Sequence, residues 1–198
     1  MRFLITGFEP FGVLKENPTS ILVERLRSKY AIVTNNANVF QFEVLPTVFE
    51  LSAQILKKAI DEIQPDFILL CGVAEESNSI RLEKLALNVN HARIPDTEGK
   101  QPIDESAVSG EPIALESKVD LAALKVRLNA LDIPAELSFH AGTYVCNHIY
   151  FHMLSYTKAK GFFMHVPNVP TANMSMEDLE NAVTEIIDWA SESALEFT

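Results

Sequence analysis

The chain has 198 residues, 47% of them hydrophobic, and its 16 basic and 27 acidic residues give a formal net charge of −11. This length suits one domain, 1–198, that can bury a core without disulfide or metal support. The negative charge would repel nucleic-acid phosphates and an anionic membrane surface, so neither is expected as a partner. The start of the chain carries only a short apolar run, and no run approaches the ~18 residues of a membrane span. We therefore expect a cytoplasmic protein.

Strands and helices alternate along the first part of the chain. Residues 2–8 are predicted as a strand, and Pro18 opens a helix as a first-turn residue. A second strand is predicted at 39–45. Apolar residues at a 3.6-residue period predict a helix over 48–63, which ends before a buried strand at 67–73.

The alternation of strands and helices continues on either side of a long polar segment. Residues 85–89 alternate between apolar and polar types, which predicts a half-buried strand. Residues 91–118 hold three prolines and two glycines among polar residues, and we predict a surface excursion there. The remaining predicted elements are a helix at about 118–131, a strand at about 135–141, a helix from near Cys146 to about Lys160, a strand at 162–166 and a helix opened by a capping box at Ser175–Asp178. This order favours an α/β fold whose mainly parallel sheet is covered on both faces.

The two cysteines, Cys71 and Cys146, have no Cys-x-x-Cys spacing, so neither a disulfide framework nor a zinc knuckle is expected. Cys71 lies inside an apolar strand and is predicted to be a core residue. Cys146 lies at the predicted start of a helix, where free N–H groups and the helix dipole would lower the pKa of a thiol and could hold an oxyanion. A simple packing role for Cys146 is the alternative.

A thiol nucleophile needs a proton acceptor, and histidine is the usual one. His165 ends the strand at 162–166, at the edge of the sheet where open α/β folds bind ligands. His148 and His152 lie one helical turn apart and could hold a metal, but no Glu follows the first as in His-Glu-x-x-His and no third ligand is evident. A carboxylate would orient the base. Spacing alone does not choose among the candidates Glu75, Glu76, Glu83, Asp96 and Glu98.

Five segments, in order over nearly the whole chain, carry a resemblance to a known family. They are Ile5-Thr-Gly-Phe-Glu-Pro-Phe-Gly12 with Asn17-Pro18, Leu45-Pro-Thr-Val-Phe49, Glu83-Lys-Leu-Ala-Leu-Asn-Val-Asn-His-Ala-Arg-Ile-Pro-Asp96, Gly142-Thr-Tyr-Val-Cys-Asn-His148 and His165-Val-Pro167. On these segments the chain resembles pyroglutamyl peptidase type I, also called pyrrolidone-carboxylate peptidase, a family of cytosolic cysteine exopeptidases.

The resemblance implies a three-layer α/β/α sandwich with an open, mainly parallel twisted sheet, no cofactor and commonly a homotetramer. It implies an omega peptidase that removes the pyroglutamyl residue from peptides with an N-terminal pyroglutamate, through a thioester acyl-enzyme. Cys146 would be the nucleophile, His165 the base and Glu83 the orienting carboxylate.

Pyroglutamate is a neutral lactam, so its recognition needs a small apolar slot with a few hydrogen-bond partners. The positions that resemble that slot are Phe8, Phe11, Thr47, Val73, Arg93, Ile94, Tyr144 and Val145. A structural ion pair is the alternative role for Arg93.

One loop departs from the family pattern. The family usually has an Ala-Gly-Gly-Arg stretch after the strand that ends near Gly72, with Gln before it in some members, whereas this chain has Val73-Ala-Glu-Glu-Ser77. The lack of a Gln-like donor at Val73 would weaken lactam recognition. Glu75 and Glu76 would raise the pH optimum and attract basic peptides if they lie within ~8 to 10 Å of the site, unless both point into solvent.

Two other functions fit parts of the pattern. A Cys-His-Glu amidohydrolase of different specificity, such as a glutamine amidotransferase, would share the frame, but its Gly-x-Cys-x-Gly elbow is absent around Cys146. A catalytically weak relative that acts as a binding or assembly module would explain the altered loop.

Overall fold

The computed structural model describes residues 1–12, 15–31 and 38–195. The described part contains strands β1 Arg2–Phe8, β2 Val39–Leu45, β3 Phe67–Val73, β4 Ile80–Glu83, β5 Leu85–Leu87, β6 Ala114–Glu116, β7 Ala135–Ser138 and β8 Lys160–Val166. Its helices are α1 Pro18–Ala31, α2 Phe49–Ile63, α3 Leu121–Ala130, α4 Val145–Tyr156 and α5 Met176–Leu195.

Six strands form the central sheet in the order β2-β1-β3-β8-β4-β7, and β5 and β6 form a small second sheet. Neighbouring strands of the central sheet are parallel except for β4 and β8, which are antiparallel. The carboxyl ends of β3 and β8 therefore lie at the same edge, with Gly72 paired to His165. The prediction of a mainly parallel sheet is confirmed.

Helices cover both faces of the central sheet, because alternate residues of each strand point to opposite faces. In β3, Leu69 and Cys71 belong to the core shared with α1, α3 and α5. Ile68 and Leu70 belong to the core shared with α2 and α4. The fold is the expected three-layer α/β/α sandwich, and Cys71 is a fully buried core residue as predicted.

Side-chain caps define several helix ends. At α1, the Asn17 side chain accepts a hydrogen bond from the Thr19 backbone N–H at 2.9 Å. At α5, the Ser175 hydroxyl accepts from the Asp178 backbone N–H, while the Asp178 carboxylate accepts from the Ser175 backbone N–H. This reciprocal pair is the predicted capping box, in which Asp replaces the usual Glu.

Some elements differ from the sequence-based predictions. Strand β4 was not predicted, and neither was β6, which lies inside the segment 91–118 that was predicted as a surface excursion. Both are short strands that depend on partners distant in sequence, β8 for the first and β5 for the second. The helix predicted to reach about Lys160 ends at Tyr156, because β8 begins at Lys160.

Candidate active site

A buried carboxylate and a histidine meet where β4 lies against β8. Glu83 Oε1 is 2.7 Å from His165 Nδ1, and the two side chains are 1% and 10% exposed. In the antiparallel register Glu83 pairs with Phe163 and Arg81 pairs with His165. Glu83 therefore reaches His165 diagonally across one face of the sheet.

Cys146 stands on the same face of the sheet. It is the second residue of α4, and its side chain is half-buried. A Cβ atom placed on Gly72 would lie 3.0 Å from Cys146 Sγ and 2.7 Å from Phe163 Cζ. Since Gly72 is paired with His165, the thiol lies against the carboxyl edge of β3 and β8 on the side that carries the imidazole. The absence of a side chain at Gly72 is what admits the start of α4 there.

The surroundings of Cys146 disfavour its thiolate. Burial raises the pKa of the Cys146 thiol to about 12, the negative charge of Glu83 acts in the same direction, and a backbone N–H opposes both. The expectation that the helix start would lower this pKa is wrong for the free site, because desolvation outweighs the helix N–H groups. A neighbouring base would have to take the proton for the thiolate to form, and the strand register sets His165 next to Gly72, which Cys146 approaches.

The residues around the nucleophile fasten the segment that follows Glu83. The Asn147 side chain is fully buried, donates to the carbonyls of Leu87 and Val89, and accepts from the Leu87 N–H at 2.8 Å. The Thr143 hydroxyl donates to the His91 carbonyl. Sequence analysis did not select Asn147, and only its place beside Cys146 within the family-like segment signalled it.

Asp96 holds the next part of that segment against α2. Its carboxylate accepts hydrogen bonds from the backbone N–H groups of Phe49, Glu98 and Lys100, and its side chain is buried. The Thr97 N–H and hydroxyl donate to the Thr47 carbonyl. Two of the acidic candidates are thus distinguished by their contacts. Asp96 accepts backbone N–H groups at the start of α2, whereas Glu83 contacts His165.

Aromatic side chains line the space beside the start of α4. The Phe11 and Tyr144 rings lie 5.5 Å apart, and Phe49 meets Tyr144 edge to face at 5.4 Å. The Tyr144 hydroxyl donates to the Pro95 carbonyl at 3.0 Å. Phe49 was not among the predicted slot residues, and the sequence signalled it only as the last residue of the family-like segment Leu45-Pro-Thr-Val-Phe49. The structure thus brings Phe11 and Tyr144 together, with Phe49 behind them.

The other predicted slot residues occupy varied environments. Phe8 and Val145 are buried in the core beside α2 and α4, and Thr47 is buried at the end of β2. The Val73 side chain packs against the opposite core, with α1, α3 and α5, because it alternates with Gly72 along β3. Ile94 is 51% exposed.

Arg93 is exposed and, within the described residues, forms no ion pair with a carboxylate. The structural ion pair considered as its alternative role is therefore not formed there.

His148 and His152 lie together behind the start of α4. Their ring centroids are 4.4 Å apart, and His148 Nδ1 lies 3.2 Å from Asn90 Oδ1. Burial, followed by the charge of His152, lowers the pKa of His148 to about 3, so the ring is neutral near pH 7. Among the residues that the structure describes, no three His, Cys, Asp or Glu side chains are grouped so as to hold a metal ion.

Residues 73–77, where the sequence departs from the family pattern, form a surface turn. The Ala74 N–H donates to the Val166 carbonyl, and the Ser77 N–H donates to the Ala74 carbonyl, both at 2.9 Å. Glu75 and Glu76 are exposed on this turn. Both residues follow β3 directly in the chain, at the carboxyl end of the strand that pairs with His165.

No helix in the described ranges is long and apolar enough to cross a membrane.

The site combines a cysteine at a helix start, a histidine at a strand end and a buried carboxylate on that histidine. This arrangement is typical of a cysteine hydrolase.

Comparison with known proteins identifies the family. The family model for pyroglutamyl peptidase matches residues 1–188. The chain is 39% identical to the pyrrolidone-carboxylate peptidase of Pyrococcus furiosus over 175 residues, which cover 86% of this chain and 82% of that protein. It is 36% identical to that of Brevibacillus brevis over 200 residues, which cover 98% and 91%.

Solved structures agree with the sequence match. The crystal structure of pyroglutamyl peptidase I from Bacillus amyloliquefaciens superposes with a TM-score of 0.85 at 32% identity, over 93% of each chain. The pyrrolidone carboxyl peptidase from Thermococcus litoralis gives a TM-score of 0.88 at 33% identity, over 98% of this chain and 94% of that one. The chain belongs to the pyroglutamyl peptidase family of cysteine peptidases.

Replacing Gly72 by Ala should impair the site without unfolding the protein. The new methyl group would press on Phe163 and Cys146 Sγ, so we expect kcat to fall about 10-fold or more, since small displacements of reacting groups have large kinetic effects. The measurement is steady-state kinetics with circular dichroism as a check on folding.

Cys71→Ala is the matched control, because Cys71 is adjacent in β3 but faces the opposite core. It should lower the free energy of unfolding by about 1 kcal/mol and leave kcat unchanged. Equal kinetics for both variants would contradict the assigned contact.

The exposed carboxylates of the 73–77 turn should have a small, salt-sensitive effect on peptide choice. We expect a preference of about two- to threefold for pyroglutamyl-Lys over pyroglutamyl-Glu peptides at low salt, because exposed charges are screened. The preference should disappear at high salt and in Glu75→Gln/Glu76→Gln, with the pH optimum unchanged. A preference that neither change alters would show that the turn does not act electrostatically on the site.

Proposed function

We propose that this protein is a cysteine exopeptidase that removes an N-terminal pyroglutamyl residue from peptides. The observation that carries the proposal is the buried Glu83–His165 hydrogen bond on the face of the sheet where Cys146 meets Gly72, in a chain of the pyroglutamyl peptidase family. An amidohydrolase of other specificity, or a weak relative serving as a binding module, has no comparable support from the relatives.

In the first half-reaction the Cys146 proton passes to His165 and the thiolate attacks the exocyclic carbonyl carbon of the pyroglutamyl residue. A C–S bond forms, and the carbonyl electron pair moves to its oxygen. When the oxyanion collapses, the C–N bond breaks, and the His165 imidazolium gives its proton to the departing peptide amine. The products are a pyroglutamyl thioester on Cys146 and the shortened peptide.

In the second half-reaction water replaces the amine. His165 takes a proton from the water, the resulting hydroxide attacks the thioester carbonyl, and the C–S bond breaks. Pyroglutamic acid leaves, and the Cys146 thiolate takes the proton from the His165 imidazolium, which restores the free enzyme. Free N–H groups at the start of α4 can stabilise the oxyanion in both steps, and one well-placed donor contributes about 3 to 4 kcal/mol in comparable sites.

Glu83 acts on the imidazole throughout the cycle. Its carboxylate accepts from Nδ1–H, which leaves Nε2 directed toward the reacting groups, and it stabilises the imidazolium that forms twice per turnover. A carboxylate that is 1% exposed interacts with that cation in a medium of low polarity, so the interaction is stronger than in water.

The substrate slot is proposed to lie between the aromatic side chains and the segment after Glu83. Phe11 and Tyr144 supply apolar walls for the lactam ring. The Tyr144 hydroxyl binds the carbonyl of Pro95, which follows Ile94 in the chain, and the Thr97 hydroxyl binds the Thr47 carbonyl. An uncharged slot suits a ring that has no ammonium group. Phe8 and Val145 would act by shaping its floor, and Arg93 would border it. The Val73 side chain cannot line the slot as predicted, because it packs against the opposite core.

Two further properties are proposed from the family resemblance. The protein would be cytoplasmic, and it would assemble as a homotetramer. Light scattering coupled to size-exclusion chromatography would test the second statement, for which a mass near four times 22.1 kDa is the expected result.

Release of 7-amino-4-methylcoumarin from its pyroglutamyl derivative tests the proposed activity directly. We expect turnover that iodoacetamide abolishes, and none in Cys146→Ala, whose fold should persist because this half-buried position contributes little packing. Cys71→Ala should retain the activity. Turnover that survives in Cys146→Ala but not in an equally stable Cys71→Ala would show that the nucleophile is misassigned.

Glu83→Gln should separate the rate from the affinity. An amide at this position can present the wrong partner to Nδ1–H and cannot stabilise an imidazolium by charge, so we expect kcat to fall by about two to four orders of magnitude with a much smaller change in KM. Asp96→Asn is the comparison, since Asp96 accepts only backbone N–H groups in the structure. A kcat near the wild-type value in Glu83→Gln would remove this carboxylate from the proposed mechanism.

A further inference from the structure

We propose that Tyr150 is a positioning residue for the Glu83–His165 pair. Tyr150 lies on α4, the helix that carries Cys146, and it holds the main chain of Glu83 and the Phe163 ring next to His165. This inference rests on the proposed function, because it assigns a role within the same site.

The first supporting observation is the contact between Tyr150 and the end of β4. Tyr150 is fully buried, and its hydroxyl donates to the Glu83 carbonyl oxygen at 2.8 Å. Tyr150 lies four residues after Cys146 on α4, so the two side chains leave the same face of the helix. One helix face therefore carries the thiol and also binds the residue that orients the base.

The second observation concerns the carboxylate of Glu83. Oε1 contacts His165, whereas Oε2 is buried and has no hydrogen-bond partner among the described residues. A carboxylate with one side-chain contact is not fixed by a network of donors. Its direction is set by the backbone from which it extends, and the Tyr150 hydroxyl binds that backbone.

The third observation links Tyr150 to the imidazole. The Tyr150 ring lies 6.0 Å from the Phe163 ring, and the Phe163 ring lies 4.6 Å from the His165 ring. Phe163 is also the residue of β8 that pairs with Glu83. Tyr150 thus contacts the carboxylate's main chain through its hydroxyl and the neighbour of the base through its ring.

Loss of the hydroxyl should loosen the carboxylate without emptying the core. With the Glu83 carbonyl released, the carboxylate stabilises the His165 imidazolium less well, and less Cys146 exists as thiolate at neutral pH. As the pH rises, more of the thiolate forms without an imidazolium partner, so a smaller share of the alkylation rate depends on the Glu83–His165 pair and the defect should diminish.

The experiment compares Tyr150→Phe with Tyr156→Phe. Tyr156 is on the same helix, but its hydroxyl donates to the exposed carboxylate of Asp61. For each variant we would measure kcat and KM on the pyroglutamyl coumarin substrate, the rate of Cys146 alkylation by iodoacetamide from pH 6 to 10, and the melting temperature. The alkylation rate requires no turnover.

In Tyr150→Phe we expect kcat to fall about 5- to 20-fold, the scale of one lost buried hydrogen bond, with KM within twofold of wild type. The alkylation rate at pH 7 should fall by a similar factor and approach the wild-type rate at pH 10. Tyr156→Phe should match wild type in both rates. Incorporation of 4-aminophenylalanine at position 150, which keeps an N–H donor, should restore much of the lost rate, and it serves as the second variant if Tyr150→Phe folds poorly.

A purely structural role would lower the melting temperature of Tyr150→Phe and leave kcat and the alkylation profile unchanged, which would overturn the proposal. Failure of the proposed function has a different signature. In that case the wild type would release no coumarin, yet the alkylation profiles of wild type and Tyr150→Phe would still differ if Tyr150 positions the pair.

Discussion

The antiparallel pairing of β4 with β8 is the constraint on which the site depends. It sets Glu83 opposite Phe163 and two positions from His165 on one face of the sheet, so that a single side-chain length spans the gap. A carboxylate that is 1% exposed would be costly to bury alone, by several kcal/mol, and the imidazole beside it is what makes its charge tolerable. The register of two strands, rather than any local motif, therefore creates the pair.

The parallel pairing of β3 with β8 supplies the other half of the geometry. It sets Gly72 next to His165, and the lack of a side chain at Gly72 lets the start of α4 approach the sheet closely enough for Cys146 to contact it. The same closeness shields part of Cys146 from solvent, and this burial raises the pKa of its thiol. Burial thus has two consequences: it makes spontaneous ionisation of the thiol unfavourable, and it strengthens the electrostatic effect of a protonated His165 on a thiolate. The nucleophile and the base must act as one unit, because the surroundings of Cys146 do not support an isolated thiolate.

The sequence predicted those features that depend on local periodicity. Strands β1, β2 and β3, helix α2 and the start of α1 were predicted within a residue or two, because apolar runs and 3.6-residue spacing are local properties. Strand β4 was missed, since Ile80–Glu83 is too short to show a period and is ordered by partners 55 and 82 residues away. Spacing alone could not identify the orienting carboxylate for the same reason: among 27 acidic residues, only the family-like segment indicated Glu83. The depressed pKa expected for Cys146 was wrong because a helix start is visible in sequence whereas desolvation is not.

Side-chain hydrogen bonds hold the backbone of the segment 91–118. Prolines, glycines and polar residues predicted a surface excursion there, and several of its polar groups, and those just before it, are bound to backbone. Asp96 accepts three N–H groups, and the buried Asn88 side chain donates to the Val108 and Glu111 carbonyls while accepting from the Val108 N–H. Each such contact replaces a hydrogen bond to water and restricts a backbone that lacks a long strand or helix.

The segment is also bound to the residues that precede the nucleophile. The Thr143 hydroxyl binds the His91 carbonyl, and the Tyr144 hydroxyl binds the Pro95 carbonyl. The wall of the proposed slot and the start of α4 are therefore parts of one connected network, so a change that moves the helix start would move the slot with it.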